Sequence, residues 1–265
     1  MRVEEFTDVR YEVADGGVAV VTIDRPERYN AFRGRTVDEL LHAFRAAWAD
    51  RSVGAVVLTG TGEKAFCAGG DQKQRAETGD YGETESGMFE IERLHRIIRD
   101  IPKPVIAAVN GVAVGGGHVL HVLCDLTVAS HSARFGQAGP RVGSFDAGFG
   151  TAYLARVVGE KRARQIWFLL DLYDAETAER WGLVNEVVAP DALMDTALSW
   201  GRKIASYSPT AIRFCKASFN ADTEHQAGFH TMAYAGLDLF TGTDEAKEGY
   251  TAFTEKRPPD FSPYR

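Results

Sequence analysis

For most of its length the chain alternates short apolar runs with amphipathic stretches. Residues 18–23, 54–59, 105–109 and 126–129 are runs of Val, Ile, Leu, Ala and Thr with almost no polar alternation, as expected of strands buried on both faces. Leu40, Leu41, Phe44 and Trp48 recur at helical spacing behind Thr36 and Glu39, which read as a capping box. Residues 88–101 resume a helix that must end before Pro102 and Pro104. Residues 74–86 carry few apolar side chains and several charges, and read as a mobile loop over a site. Strands and helices alternate to about residue 190, which predicts a wound α/β core. Beyond Pro190 the pattern is helical over 191–206, 209–220, 224–240 and 243–255. A boundary near residue 195 divides a core of residues 1–194 from a helical region of residues 195–265. The amphipathic stripes of that region must be covered, which suggests an assembly device.

The pattern is densest at residues 105–125, VIAAVNGVAVGGGHVLHVLCD: a strand, an Asn110-Gly111 turn, three glycines and a short helix too apolar for a surface. Gly115, Gly116 and Gly117 open that helix with unpaired N–H groups at its positive end, which suits a developing oxyanion. Their alternative use is close packing of helix on strand. A second glycine loop, GTGEKAFCAGG, ends at Gly70, and a third small-residue loop runs Gly143-Ser144-Phe145-Asp146-Ala147-Gly148.

A length of 265 residues with 45% hydrophobic content is enough for one large core. The net charge of -7, without a run of Lys or Arg, argues against nucleic acid or an anionic membrane as the main partner. The N-terminus has no signal-like segment and no apolar run approaches membrane-spanning length, so the expected location is the cytoplasm. Cys67, Cys124 and Cys215 are widely spaced and read as reduced thiols, with a nucleophilic Cys67 the alternative. His118, His121 and Asp125 share one helical face and fit either a metal or a pocket wall; no fourth ligand is evident, and no metal is expected. GVAVGGG departs from the dinucleotide fingerprint, and Ser144 sits on no nucleophile elbow.

Taken together, DRPERYNAF, AFCAGGDQ, PKPVIAAVNGVAVGGGH, CDLTVAS, FGQAGP and EGYTAFTEKRPPDF resemble the crotonase (enoyl-CoA hydratase/isomerase) superfamily along essentially the whole chain. The resemblance implies an α/β spiral of ββα units with a helical C-terminal trimerisation region, assembled as a trimer or a dimer of trimers. It implies an acyl-CoA thioester substrate whose enolate is held by the N–H groups of Gly70 and Gly116, with CoA as part of the substrate rather than a cofactor. Ala65, Phe66 and Ala68 would meet CoA through their backbone, Asp71 and Gln72 would complete that loop, and Arg25, Arg28 and Lys256 are candidates for the CoA phosphates, against ordinary surface charge. His118 would line the acyl cavity.

Hydratases of this superfamily carry two glutamates at positions that here hold Val119 and Gly139, which disfavours simple water addition. Within the superfamily the chain is most similar to two groups acting on carbon-carbon bonds, the 2-ketocyclohexanecarboxyl-CoA hydrolases and the 1,4-dihydroxy-2-naphthoyl-CoA synthases. GGDQ, the pattern from Gly139 to Asp146, ARVVGEKRARQIW and KRPPDF are shared with both. The synthases carry two tyrosines at positions that here hold Thr84 and Thr241, with Tyr81 three residues from the first, and this tilts the expectation to ring opening. Asp146 is then the base and Ser144 its partner, the alternative being a cap on the helix beginning near Gly148. Gln137 and Trp167 stand where one synthase subclass holds bicarbonate, or are packing residues. A non-catalytic assembly on the same fold would also explain the absent glutamates.

Overall fold

The apolar runs pair as parallel strands in two sheets. The computed structural model describes residues 1–265, the side chain of Ala227 excepted. The main sheet has the order β1 (Val9–Ala14), β2 (Val18–Ile23), β3 (Ala55–Gly60), β5 (Val105–Val109), β7 (Leu126–Ser130) and β10 (Glu186–Val188). The smaller sheet has the order β4 (Ala65–Cys67), β6 (Val112–Val114), β8 (Arg134–Gly136) and β9 (Tyr173–Asp174). Only β1 with β2 and β8 with β9 are antiparallel. Helices α1 (Gly34–Ala49), α2 (Gln72–Thr78), α3 (Ile91–Asp100), α4 (Gly116–Leu123), α5 (Leu154–Val158), α6 (Glu160–Leu169) and α7 (Ala175–Arg180) are interleaved with the strands, and α8 (Leu193–Ala205), α9 (Pro209–Ala221), α10 (Ala227–Thr241) and α11 (Asp244–Thr254) follow them.

A main-sheet strand is repeatedly followed after a few residues by a strand of the smaller sheet and then by a helix: β3 and β4 before α2, β5 and β6 before α4, β7 and β8 before α5. This is the spiral of ββα units that the motifs imply. Its consequence is local: β4, β6 and β8 are parallel neighbours, so their C-terminal ends bring the loops at Gly69, Gly115 and Gly139 to one edge. In open parallel sheets that edge is where ligands bind.

Packing corrects three expectations. The helix placed behind Thr36 begins two residues earlier, at Gly34, and Glu39 caps no helix. Its buried carboxylate instead accepts the N–H groups of Thr7, Asp8 and Val9 at 2.7–3.0 Å, anchoring the start of β1. Residues 74–86 hold the end of helix α2, which Asp71 caps through the N–H groups of Lys73 and Gln74. A boundary at 194/195 cuts α8, whose Leu193 and Ala197 cover Val18, Val20, Val57, Ile106 and Val128 of the main sheet. Helix α8 is part of the core. Among the described residues no helix is long and apolar enough to cross a membrane.

Helix α4 approaches β4 so closely that a Cβ on Gly117 would stand 1.9 Å from the carbonyl oxygen of Cys67. The third glycine is therefore required by packing, whatever the first two do. Gly117→Ala should lower stability by about 3 kcal/mol or more through overpacking, read as a fall in the urea midpoint. Gly228→Ala, where the added methyl meets nothing within 4 Å, should leave it unchanged or slightly raised.

Candidate active site

Three glycine loops build the candidate site. Its first wall comes from residues 25–32, which Asn30 folds. The buried Asn30 side chain accepts the N–H of Arg25 at 3.0 Å and donates to the carbonyls of Thr61 at 3.0 Å and Ala65 at 2.7 Å. Phe32 is thereby laid alongside the Gly70 loop as a single parallel bridge. The Phe32 N–H donates to the Gly69 carbonyl and the Asp71 N–H to the Phe32 carbonyl, each at 2.8 Å. These bonds engage the groups on either side of Gly70 and leave its own N–H without an acceptor among the described residues.

The second donor comes from α4. Gly115 is fixed by a 3.2 Å bond from its N–H to the carbonyl of Gly136, and its own carbonyl accepts from Val119. Gly116 is the first residue of the helix, so its N–H has no intrahelical partner and faces out of the positive end. Gly69 has φ +87° and its Cα lies against Gly116, which brings the two free donors side by side. Unengaged, preorganised N–H groups of this kind stabilise a developing oxyanion.

The third loop brings Asp146. Arg75 of α2 donates to the Gly143 carbonyl at 3.1 Å, Ser144 donates its N–H to Gly139 at 2.9 Å, and Trp167 donates to the Gly150 carbonyl. The half-buried Asp146 carboxylate accepts the N–H groups of Gly148 at 3.0 Å and Gly150 at 2.9 Å, at the head of a π-helical turn over Phe149–Tyr153. The cap reading is thus realised. Burial raises its proton affinity above the ordinary carboxylate range, opposed by the Gly150 and Gly148 N–H groups and by the Tyr234 hydroxyl. The Ser144 hydroxyl has no partner among the described residues and is free for a ligand.

Several predicted contacts are not made. Arg25 is 7% exposed and bonds the carbonyl of Ala31 and the Asp71 carboxylate at 2.9 Å, with Asp8 3.5 Å away. Arg25 and Asp71 form a buried structural ion pair, and neither meets CoA directly. His118 is fully buried in the core, bonded to the Tyr173 hydroxyl and at 3.4 Å to Gln137; it lines no cavity, and burial pushes its pKa down to about 3. Asp125 pairs with Lys216 at 2.7 Å rather than with a histidine, and no metal-ligand cluster exists among the described residues. Gln137 is buried against His118 and the single N–H of Trp167 is engaged, so this pair presents no set of free donors to bicarbonate. Phe66 is buried and Ala65 gives its carbonyl to Asn30 and Asn110, which leaves Ala68 as the accessible residue of that stretch. Gln72 donates to the Gly70 carbonyl at 3.1 Å. Arg28 and Lys256 are without side-chain partners among the described residues and remain candidates for phosphates.

Two tyrosines bear on the site, Tyr81, which lies three residues from Thr84, and Tyr234, which sequence reasoning passed over. Tyr81 packs its ring and hydroxyl against Gly70 and stacks on Phe89 at 4.6 Å, so the loop register brings a phenol to the site although Thr84 packs on Gly34 instead. Tyr234 of α10 has its hydroxyl bonded to Nδ1 of His95. It lies seven residues, about two helical turns, before Thr241 and so on the same helical face. At the first of the two positions Tyr81 thus stands in for the missing phenol against Gly70. Helical periodicity was the signal that could have found Tyr234.

A profile of the enoyl-CoA hydratase/isomerase family matches residues 14–263. The chain belongs to that family. Among solved structures, this crotonase-fold protein is similar to an enoyl-CoA hydratase/isomerase from Pseudoalteromonas atlantica T6c, with 28% identity and a TM-score of 0.87 over 97% of this chain and 100% of that one. It is likewise similar to an enoyl-CoA hydratase from Mycobacterium avium subsp. paratuberculosis K-10, with 28% identity, a TM-score of 0.85 and coverage of 97% and 99%. A carnitinyl-CoA hydratase from Mycobacterium avium matches with 32% identity, a TM-score of 0.85 and coverage of 97% and 98%.

The family placement makes the character of Cys67 a testable point. Its thiol lies between the loops but is fully buried, and desolvation pushes its pKa up to about 12. Iodoacetamide at pH 8 should leave Cys67 unmodified in the folded protein, as read by peptide mass mapping; alkylation there would show an open, activated thiol.

Proposed function

We propose that this acyl-CoA enzyme cleaves a carbon-carbon bond in a cyclic β-ketoacyl-CoA by retro-Dieckmann ring opening, as 2-ketocyclohexanecarboxyl-CoA hydrolases do. The observation that carries this reading is which carboxylate the site holds. Val119 is fully buried in the core and Gly139 has no side chain, so the paired glutamates of a hydratase are absent, while Asp146 stands in the loop tied to both Gly139 and Arg75.

In this mechanism Asp146 takes a proton from water, and the oxygen adds to the ring ketone carbon. The bond from that carbon to the α-carbon breaks, and its electron pair passes into a thioester enolate whose oxygen is held by the Gly70 and Gly116 N–H groups. The ketone carbon becomes a carboxylic acid, and the α-carbon takes up the proton that Asp146 carried. The net change is addition of one water. Ser144 orients the adding oxygen, and Arg28 and Lys256 meet the CoA phosphates. The enzyme acts in the cytoplasm as a trimer or dimer of trimers, a reading supported by the exposed Phe214, Phe219, Met232 and Leu239 on α9 and α10.

Ring closure by a 1,4-dihydroxy-2-naphthoyl-CoA synthase is the second reading, favoured by Tyr81 against Gly70. The two chemistries share the enolate and differ in water balance. In ¹⁸O water, 2-ketocyclohexanecarboxyl-CoA should give pimeloyl-CoA heavier by one labelled oxygen, with o-succinylbenzoyl-CoA and crotonyl-CoA unchanged. Loss of water from o-succinylbenzoyl-CoA would move the assignment to the second reading, and hydration of crotonyl-CoA would overturn both. Asp146→Asn should lower kcat on the accepted substrate by about 10² to 10⁴-fold with KM little changed.

A further inference from the structure

Arg75 of α2 is a buried cation with no countercharge of its own. Its side chain is 2% exposed and pairs with no carboxylate among the described residues. Nη2 donates to the carbonyl of Gly143 at 3.1 Å, which places the guanidinium at the loop that carries Ser144 and Asp146. Two rings flank it, with the centre of Tyr250 on α11 at 4.7 Å from Cζ and that of Tyr81 at 6.0 Å. Nη1 is buried and donates to nothing among the described residues. Aromatic faces offset part of the cost of burying a charge, yet a guanidinium has five N–H donors, and a buried one ordinarily meets an anion. The place of this charge is specific. Tyr81 packs its ring and hydroxyl against Gly70, so a thioester seated at the Gly70 amide lies against the same ring that flanks Arg75. On the other side a Cβ on Gly249 of α11 would stand 2.2 Å from the Gly143 nitrogen, so the loop has no room to retreat toward that helix.

We propose that Arg75 is the subsite for a carboxylate on the acyl chain, the group that distinguishes a ring-opened thioester from its closed form. Arg75 takes this role only if the acyl group lies at Gly70, as the reading above has it. Opening a neutral β-keto ring creates one carboxylate, and o-succinylbenzoyl-CoA, the open substrate of the second reading, carries one as well; a simple enoyl-CoA carries none. A planar guanidinium offers a carboxylate two parallel N–H groups, and Nη1 supplies donors that no protein group has taken. The Tyr81 ring is the cover. It stacks on Phe89 at 4.6 Å and its hydroxyl makes no hydrogen bond among the described residues, so it swings aside without breaking one. The tie between the Tyr81 carbonyl and the Gly34 N–H, at 2.7 Å, keeps the backbone in place as the ring moves. Because only the open form carries the anion, Arg75 holds that form more tightly than the ring and biases the bound species toward opening.

Binding to the full chain tests this without turnover. Pimeloyl-CoA and heptanoyl-CoA have acyl chains of equal length and differ only in a terminal carboxylate, so contacts to CoA cancel between them. In titration calorimetry the unaltered protein should bind pimeloyl-CoA at least about tenfold more tightly. Arg75→Gln, which keeps a donor for the Gly143 carbonyl, should bring the two ligands within about threefold of each other and leave heptanoyl-CoA within about threefold of its original affinity. Arg75→Lys should keep part of the preference, as a point charge without the planar fork. Equal binding of the two thioesters by the unaltered protein, or a preference that survives Arg75→Gln, would overturn the proposal. So would loss of both thioesters alike in a variant with a native circular dichroism spectrum, because Arg75 would then act only as a clamp on the loop. The ring assignment is tested separately. A preference without turnover of 2-ketocyclohexanecarboxyl-CoA would keep the subsite and remove the ring-opening reading, and turnover without a preference would do the reverse.

Discussion

One parallel bridge, Phe32 against the Gly70 loop, sets the rest of the site. Its two bonds take up the Gly69 carbonyl and the Asp71 N–H and leave the amide between them free. The bridge needs residues 25–32 held in place, which the Asn30 side chain does with three backbone bonds in a fully buried position. The Gly116 amide is left free by a different device, the start of a helix. The two free amides therefore have independent structural origins and meet because β4 and β6 are parallel neighbours in the smaller sheet. Neither requires a side chain at the reacting atom, so members of the family can share the donors while changing the chemistry around them.

The same bridge explains an unusual concentration of buried charge. Asp8 accepts from Arg33 at 2.8 Å and Thr36 at 2.6 Å, and Arg25 links Asp8 to Asp71. Arg33 and Thr36 hold Asp8 below the usual carboxylate range in spite of its burial. Buried ion pairs contribute little net stability, yet breaking one is costly, since the remaining charge has no water. The network thus fixes geometry more than it stabilises: Asp71 is both the residue after Gly70 and the cap of α2, and α2 carries Arg75 to Gly143. A change in this network reaches the Asp146 loop through that helix.

The fold was legible because both-face-buried strands and glycine loops leave strong local marks: the strand runs at 18–23, 54–59, 105–109 and 126–129 all form. What the residues could not disclose was partnership. Arg25 reads as a surface cation until Asp71 and Asp8 are seen around it, and His118 reads as a pocket wall until Tyr173 and Gln137 close on it. Glu39 obeys the spacing of a capping box yet serves the start of β1, a contact some thirty residues away that periodicity cannot encode. Tyr234 was missed for the converse reason. Motif spacing seeks a tyrosine at one position, whereas a helix offers the same face again two turns earlier, where Tyr234 stands.

The account depends most on the Gly70 and Gly116 amides polarising a thioester carbonyl, and isotope-edited infrared spectroscopy reads that directly. With acetoacetyl-CoA carrying ¹³C at the thioester carbonyl, the account predicts that the labelled band moves to lower wavenumber on binding, as two N–H groups draw charge onto the oxygen. A labelled band that stays at its solution frequency in the bound complex would contradict it.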